Sequence, residues 1–280
     1  MSDLKDFNAM IVKPKTQEYL LSVLNTKKDQ FVSDLTALVA NDTNLQACEP
    51  VTIMYAAINA TALSLPLNKN LGFAYAIPYK NTKKGVSEAQ FLMGYKGYIQ
   101  LAIRSGQFKN INVTDIREGE IKANNLLTGE IEFEKKENRA ELPIVGYAAY
   151  FALNNGFAKT LYMTKDEMER HAKRYSQTYS SRLDYVQKAS KWATDFDAMG
   201  KKTVLKLLLA KYAPLSVEMQ QAVMYDQSVM YNPNTPEYRD NEPKSAKEEA
   251  ADLVAEDAEF EESPEPDNDA TTPFEIKEGV

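Results

Sequence analysis

The sequence predicts an α+β fold: a mostly antiparallel sheet with a β-hairpin, flanked by helices, led by N-terminal helices and followed by a disordered acidic C-terminal tail. Three observations predict it. Apolar residues recur at helical spacing up to about Leu65 and again after Trp192. Between these regions, short alternating runs are separated by turn residues such as Asn154-Asn155-Gly156. From about Asp226 onward, carboxylates and prolines displace the apolar residues, so too little surface can be buried to offset the entropy of ordering.

The first helices are expected between Thr16 and Ala40, where "YLLSVL" and "FVSDLTALVA" carry the spacing. Pro50 suits the first turn of the next helix, whose Val51, Met54, Tyr55, Ile58, Ala62 and Leu65 make one apolar stripe. "GFAYAIPY" then alternates Phe73, Tyr75, Ile77 and Tyr79 against Ala74, Ala76 and Pro78. "AQFLMG" follows after the basic loop "KNTKKGVSE", which makes a hairpin with lysines at its tip. Pro78 cannot donate a ladder hydrogen bond, so its strand belongs at a sheet edge or a strand end.

"GYKGYIQLAIRSGQ" is the next helix, closed by Gly106. "NINVTDI", "GEIEFEK", "PIVGYAAYFAL" and "FAKTLYM" read as strands. Thr164 and Glu167 form a capping box before "KDEMERHAKRY", and a last helix is expected from about Trp192 to Tyr212, before Pro214. No internal repeat interrupts this order. The expected organisation is an N-terminal helical region over 1–50, a core over 51–225 and a tail over 226–280.

The chain has 280 residues, 44% of them hydrophobic, enough for a sizeable core. Its net charge of −7 hides a division: residues 226–280 hold 17 acidic and 4 basic side chains, whereas residues 1–225 hold 23 acidic and 29 basic. A mildly basic body is compatible with binding a polyanion. The acidic tail is compatible with a segment that solubilises the chain, competes for its groove or recruits a partner, and equally with a plain solvated tail. A short helix around Ser245 to Glu259 and the terminal "TTPFEI" are its candidate docking motifs.

A single cysteine, Cys48, excludes an intramolecular disulfide framework. With one histidine, His171, zinc and Ser-His chemistry are poorly supplied, and both residues read as structural. No run of eighteen apolar residues and no signal-peptide pattern is present, which predicts a cytoplasmic protein without a membrane partner.

Four motifs could carry chemistry. On the helix of 94–107, Lys96, Gln100, Arg104 and Gln107 fall within an arc of about 80°, either a solvated face or a polar ribbon that holds an anion. "GKKT" at 200–203 fails as a phosphate-binding loop, since Asp195 stands where glycine is needed and Lys202 where Ser or Thr is needed. Glu132, Glu134 and Lys136 in "EIEFEKK" would share one strand face, either as a Mg²⁺ nuclease set or as salt-paired hairpin charges. In "DFDAMGKKTVLKLLLAK", Val204, Leu205, Leu208 and Leu209 form a buried arc. Lys202, Thr203 and Lys206 lie away from it, and Lys201 projects into its middle. Basic and aromatic residues also interleave between Tyr75 and Arg117, as in single-strand binders and as in tyrosine-rich cores.

"LPLNKNLGFAYAIPYKN", "AQFLMGYKGYIQLAIRSGQFKNINVTDIREGE" and "DFDAMGKKTVLKLLLAKYAPLSVEMQQAV", in this order and spacing, resemble the RecT family of phage and prophage single-strand annealing proteins. The resemblance spans about Val51 to Asp226, with Gly200 where the family's "MAKKT" segment usually has alanine. It implies an ATP-independent recombinase, without ATPase or nuclease activity, that coats single-stranded DNA, anneals it to a complementary strand and promotes strand invasion in homologous recombination. No metal or nucleotide cofactor is implied. The implied partners are single-stranded DNA and the annealed duplex intermediate, further copies of the chain in a ring or helical filament, a phage exonuclease, and a host single-strand-binding protein reached through the C-terminal region. The DNA groove is implied to be lined by the hairpin region and the lysine-bearing helix.

An annealer must hold the sugar-phosphate backbone and leave the base edges free, which calls for cations along a groove and little base-specific bonding. The phosphate-contact candidates are therefore Lys80, Lys96, Arg104, Gln107, Arg117, Lys201, Lys202, Thr203 and Lys206, with Gln100 the weakest member of the ribbon. Tyr79 and Tyr95 either stack on bases or pack. A Mg²⁺-dependent nuclease acting on DNA and a passive coat protein are the alternative readings.

Overall fold

Helix α5 (Pro50–Ala62) is the element on which much of the rest assembles. Pro50 sits in its first turn, where no N–H is required. Every residue from Thr52 to Ala60 is buried, so the expected single stripe is exceeded: small side chains at Thr52, Ala56, Ala57 and Ala60 let neighbours approach from the other sides too. The computed structural model describes residues 4–81, 84–125, 127–176, 178–233 and 235–238. Ahead of α5 come α1 (Leu4–Ile11), α2 (Pro14–Leu24), α3 (Lys28–Ala40) and the single turn α4 (Thr43–Gln46). The helical stretch expected over 16–40 is broken at Asn25, whose φ of +49° ends α2.

Strands β1 (Ala74–Asn81) and β2 (Val86–Met93) form the expected hairpin, in register from Ala74 opposite Met93 to Asn81 opposite Val86. They belong to a four-stranded antiparallel sheet completed by β8 (Ser228–Met230) and β9 (Pro236–Tyr238), in the order β1-β2-β8-β9. Pro78 thus lies on an edge strand, as its missing donor demands. The tip residue Lys83 lies outside the described residues.

Helix α6 (Tyr95–Arg104) follows β2 directly and ends before Gly106, whose φ is +68°. Its first turn is crossed closely by the chain leading into β1. A Cβ at Gly94 would stand 2.2 Å from the Gly72 carbonyl oxygen, and one at Gly97 would stand 2.2 Å from that of Phe73. Only glycine fits both positions.

A second sheet, in the order β3-β6-β7, comprises β3 (Phe108–Arg117), β6 (Ile144–Leu153) and β7 (Ala158–Thr164). A separate hairpin joins β4 (Ile121–Asn125) to β5 (Glu130–Phe133). The capping box of α7 (Lys165–Tyr175) is present: Thr164 Oγ1 accepts from Glu167 N at 3.1 Å, and the Glu167 carboxylate accepts from Thr164 N at 2.7 Å. Helix α8 (Asp184–Ala189) follows. The helix expected from Trp192 to Tyr212 is instead two, α9 (Lys191–Thr194) and α10 (Phe196–Tyr212), because extended Asp195 turns back to cap Ala198 N. Helix α10 packs on β6, β7, β3 and α6. Gly200 faces the Tyr147 ring, which a Cβ would meet at 2.7 Å, so glycine there admits the tyrosine.

Helix α11 (Val217–Tyr225), capped by Ser216, leads to the main correction of the organisation read from sequence. Residues 226–238, assigned there to the tail, are in the fold: Asp226, Ser228, Val229 and Met230 are buried, and two strands join the sheet. All described residues, the N-terminal helices included, fall in one compact unit. The rest of the tail, with the helix expected around 245–259 and the "TTPFEI" motif, lies outside the described residues. Among the described residues, no helix is long and apolar enough to cross a membrane.

Candidate nucleic-acid interface

The alternation in β1 decides which side chains leave the core. Ala74 and Ala76 point inward and are buried, which puts the larger Tyr75, Ile77 and Tyr79 on the other face, half-buried. Tyr75 and Ile77 form one wall of a groove made of two adjoining hollows of about 370 and 400 Å³. Both hollows are lined by Lys69, Tyr75, Ile77 and Lys191, so the groove is continuous from the start of α6 along β1 to Pro78. The opposite wall comes from α9 and α10, with Ala198, Met199 and Lys202, and the inner end from Met93, Gly94, Tyr95 and Lys96.

Cations rim this groove. Lys96 and Lys191 are exposed and have no ion-pair partner among the described residues. Lys69, whose side chain is 66% exposed, leans on Asp42 at 2.7 Å. The one carboxylate in the inner hollow, Asp195, is occupied at the N-terminus of α10, where the helix dipole offsets its charge. Burial, with help from Asp195 and Tyr95, raises the Tyr75 phenol, so the wall stays neutral.

Beneath the groove lies a buried polar centre. Lys202 is 4% exposed, and its Nζ donates to Asp226 Oδ1 at 2.8 Å; Lys206 Nζ donates to Asp226 Oδ2 at 2.9 Å. Burial alone would raise the Asp226 carboxyl, but the two ammoniums more than offset it and hold it at about 2. Burial also draws the Lys202 ammonium down, to about 8, against the pull of Asp226. Nearby His171 is brought down to about 4, first by burial and then by Lys206 and Arg174, which leaves it neutral.

The structure places the twelve candidates in different settings. Tyr95, Lys96 and Lys202 line the inner hollow. Lys80 is exposed at the end of β1, beyond half-buried Tyr79, and has no ion-pair partner among the described residues. Gln100 is half-buried and Gln107 exposed, farther along the chain from the groove end of α6. Arg104 is turned to the end of α5, where it donates to the Leu63 carbonyl at 2.6 Å and reaches that of Ser64 at 3.5 Å. Arg117 is held by Asp115 at 2.9 Å and the Leu142 carbonyl at 2.6 Å, beside an Arg139 that pairs with both Asp115 and buried Glu120. Thr203 is half-buried on α10.

Two corrections follow. Lys201 was expected at the centre of the apolar arc, yet its side chain is 26% exposed and stands 3.8 Å from Asp115, whereas Lys202 is the enclosed lysine. The wheel gave angles, but the carboxylates that receive these ammoniums are 86 and 24 residues distant in sequence and decide which lysine can be buried. As phosphate donors, Arg104, Arg117, Lys202 and Lys206 are therefore already engaged with internal acceptors. Glu134 is likewise engaged, with Lys122 at 3.3 Å and Lys136 at 3.0 Å, which is the salt-paired form of the nuclease motif; it also lies past the end of β5. Among the described residues, no group of three or more His, Cys, Asp or Glu could hold a metal ion. Cys48 is fully buried, in keeping with a structural role.

Sequence reasoning missed Lys69, Lys191 and Asp226 as parts of this site, and counted Tyr75 only within the interleaved basic and aromatic stretch. Lys69 and Tyr75 stood inside the quoted "LPLNKNLGFAYAIPYKN", and Tyr75 on the non-core face of an edge strand was the available signal.

Known proteins resemble this chain over most of its length. The chain is 38% identical over 274 residues to the uncharacterized protein YqaK of Bacillus subtilis (strain 168), covering 95% of this chain and 90% of that protein. It is 26% identical over 226 residues to Protein RecT of Escherichia coli (strain K12), covering 79% and 80%. A sequence profile of the RecT family matches residues 29–246, which takes in α3, the hairpin, both groove walls and the strands after Asp226, and the chain belongs to the RecT family.

Proposed function

We propose that this chain binds single-stranded DNA by its sugar-phosphate backbone along the β1 groove and anneals complementary strands without ATP, promoting strand invasion in homologous recombination. One observation carries the reading: a continuous groove with a tyrosine-bearing wall and the ammoniums of Lys69, Lys96 and Lys191 on its rim. Ammoniums contact phosphates without selecting a base, and aromatic faces accept any base. Both suit a protein that must accept every sequence and leave pairing edges free.

Membership of the RecT family supports the recombination role, and the pairing of Glu134 with two lysines gives the nuclease reading no support. Assembly of many copies along one strand, in a ring or helical filament, would add avidity to weak single sites. A phage exonuclease that exposes the strand and a host single-strand-binding protein are the expected partners in the cytoplasm.

The test is the rate of pairing of two complementary labelled oligonucleotides, without ATP, with and without Mg²⁺, across salt. Faster pairing than the protein-free rate with intact strands is expected. Binding without faster pairing would leave a coat protein, and strand loss in Mg²⁺ would leave a nuclease.

A further inference from the structure

Asp226 is a buried carboxylate near the groove with four hydrogen-bond donors, and phosphate contact by the rim cations does not use it. Its Oδ1 accepts from Met93 N at 2.9 Å and from Lys202 Nζ at 2.8 Å. Its Oδ2 accepts from Tyr98 OH at 3.2 Å and from Lys206 Nζ at 2.9 Å. These four donors come from three elements: the last residue of β2, the first turns of α6, and α10. Met93 and Lys202 both line the inner hollow, and Tyr95 and Lys96 lie between Met93 and Tyr98 in the chain. One side chain thus fixes the relative positions of the inner end and the opposite wall.

The charge count is uneven. Two ammoniums meet one carboxylate, buried Lys202 and the 28% exposed Lys206, so the cluster carries one net positive charge that acts on an anion in the groove.

We propose that Asp226 is the positioning residue of the groove: it locks β2, α6 and α10 into one arrangement and holds Lys202 and Lys206 with a single net positive charge beneath the bound phosphate. The inference rests on reading the groove as a single-stranded DNA interface. It also explains why the fold does not end at Tyr225: β8 and β9 anchor the segment that carries Asp226 into the sheet.

Electrostatics alone predicts a different outcome from positioning, which makes the inference testable. Asp226→Asn removes a negative charge, so a purely electrostatic role gives tighter binding to a labelled oligonucleotide with a steeper salt dependence, or unchanged binding where Lys202, already drawn down by burial, sheds its proton on losing the counter-charge. A positioning role gives weaker binding, by about 5- to 30-fold, with no steeper salt dependence, since residues that act through a packed network modulate a distant site by that order. Tighter or unchanged binding by the variant overturns the proposal.

Asp226→Asn leaves Lys202 buried without a counter-charge, so folding is checked by emission from Trp192, the only tryptophan, packed against Phe196 at the start of α10. Tyr98→Phe supplies a second arm that needs no charge change. It cuts the tie to α6 alone and is expected to weaken binding by about 2- to 5-fold at unchanged salt slope; unaltered affinity overturns the proposal whatever Asp226→Asn does. Failure of the unmodified protein to bind the oligonucleotide is a separate result, and sinks the proposed function itself.

Discussion

Lys96 and Lys191 are predicted to contact phosphate, and Arg104 and Arg117 are not. The distinction comes from their present partners. Lys96 and Lys191 are exposed on the groove rim without an ion pair among the described residues, whereas Arg104 is spent on the carbonyls that end α5 and Arg117 on Asp115 and the Leu142 carbonyl. Each phosphate contact on a single strand contributes about 0.7 to the slope of log affinity against log salt. Lys96→Ala and Lys191→Ala should therefore each lower the slope by about 0.7, equivalent to about fivefold in affinity at 0.1 M salt relative to 1 M, and the double variant by about 1.4. Arg104→Ala and Arg117→Ala should leave the slope alone. Their cost falls on stability: about 1 kcal/mol or less for exposed Arg104, whose acceptor carbonyls regain water, and about 1 to 3 kcal/mol for Arg117, whose loss strips a charged donor from Asp115 and the Leu142 carbonyl. Fluorescence anisotropy of a labelled oligonucleotide across a tenfold range of salt measures both sets. A slope lowered by Arg104→Ala and untouched by Lys96→Ala would refute the reasoning, since it would mean that the arginine releases α5 to take a phosphate.

A chain ended after Tyr225 should lose thermal stability by several kcal/mol or fail to fold, because removing one partner of a buried ion pair costs about 3 to 5 kcal/mol; a chain ended after Tyr238 should melt close to the full chain, and equal melting of both would contradict the placement of Asp226. Gly97→Ala should destabilise by about 1 to 3 kcal/mol or more, since its Cβ meets backbone that cannot yield; an unchanged Tm would show that the chain before β1 moves freely off α6. Stability should fall with acid in two windows. The lowered folded pKa of His171, about 4, means that stability present above 6.5 is lost as pH falls towards 4, and this loss should vanish in His171→Gln. The lowered folded pKa of Asp226, about 2, means that a further contribution of about 2 kcal/mol, present above 3.8, is lost as pH falls through 2. Denaturant titrations at stepped pH check both, and a flat profile between 6.5 and 4 would contradict the burial of His171.

Local patterns were legible wherever the cause was local. Pro78 named its strand as an edge because a missing donor is a property of one residue, and Thr164 with Glu167 named a helix start because the capping box closes within four residues. The ribbon helix was placed between Gly94 and Gly106 for the same reason, but not the role of its glycines, since the carbonyls of Gly72 and Phe73 reach Gly94 and Gly97 only in the folded chain. The site was less legible than the fold. Counting cations cannot tell a free ammonium from a committed one, and the commitments of Lys201, Lys202 and Lys206 are made to Asp115 and Asp226 across long stretches of sequence. The tail boundary failed because composition changes at 226 while structure continues: strands of three residues are too short to shift a compositional average.

These commitments bear on how an annealing protein must grip its strand. A groove whose cations were all free would hold one strand tightly at each site and resist giving it up to a growing duplex. Here the α10 lysines share Asp226, and Arg104 and Arg117 are bonded to acceptors of the fold, so on the proposed reading direct contact would fall to Lys96 and Lys191 on the groove rim and Lys80 at the end of β1, with Lys69 as a fourth only where phosphate displaces Asp42. Three or four contacts at about 0.7 each give a salt slope of only about 2 to 3 for one copy, a grip that is weak alone and readily reversed. Affinity sufficient to coat a strand then has to come from many copies acting on the same polymer, where effective concentration replaces contact strength. Reversible single sites within a collectively stable array allow mispaired strands to release locally and correctly paired ones to extend, which is the selectivity that annealing without ATP requires.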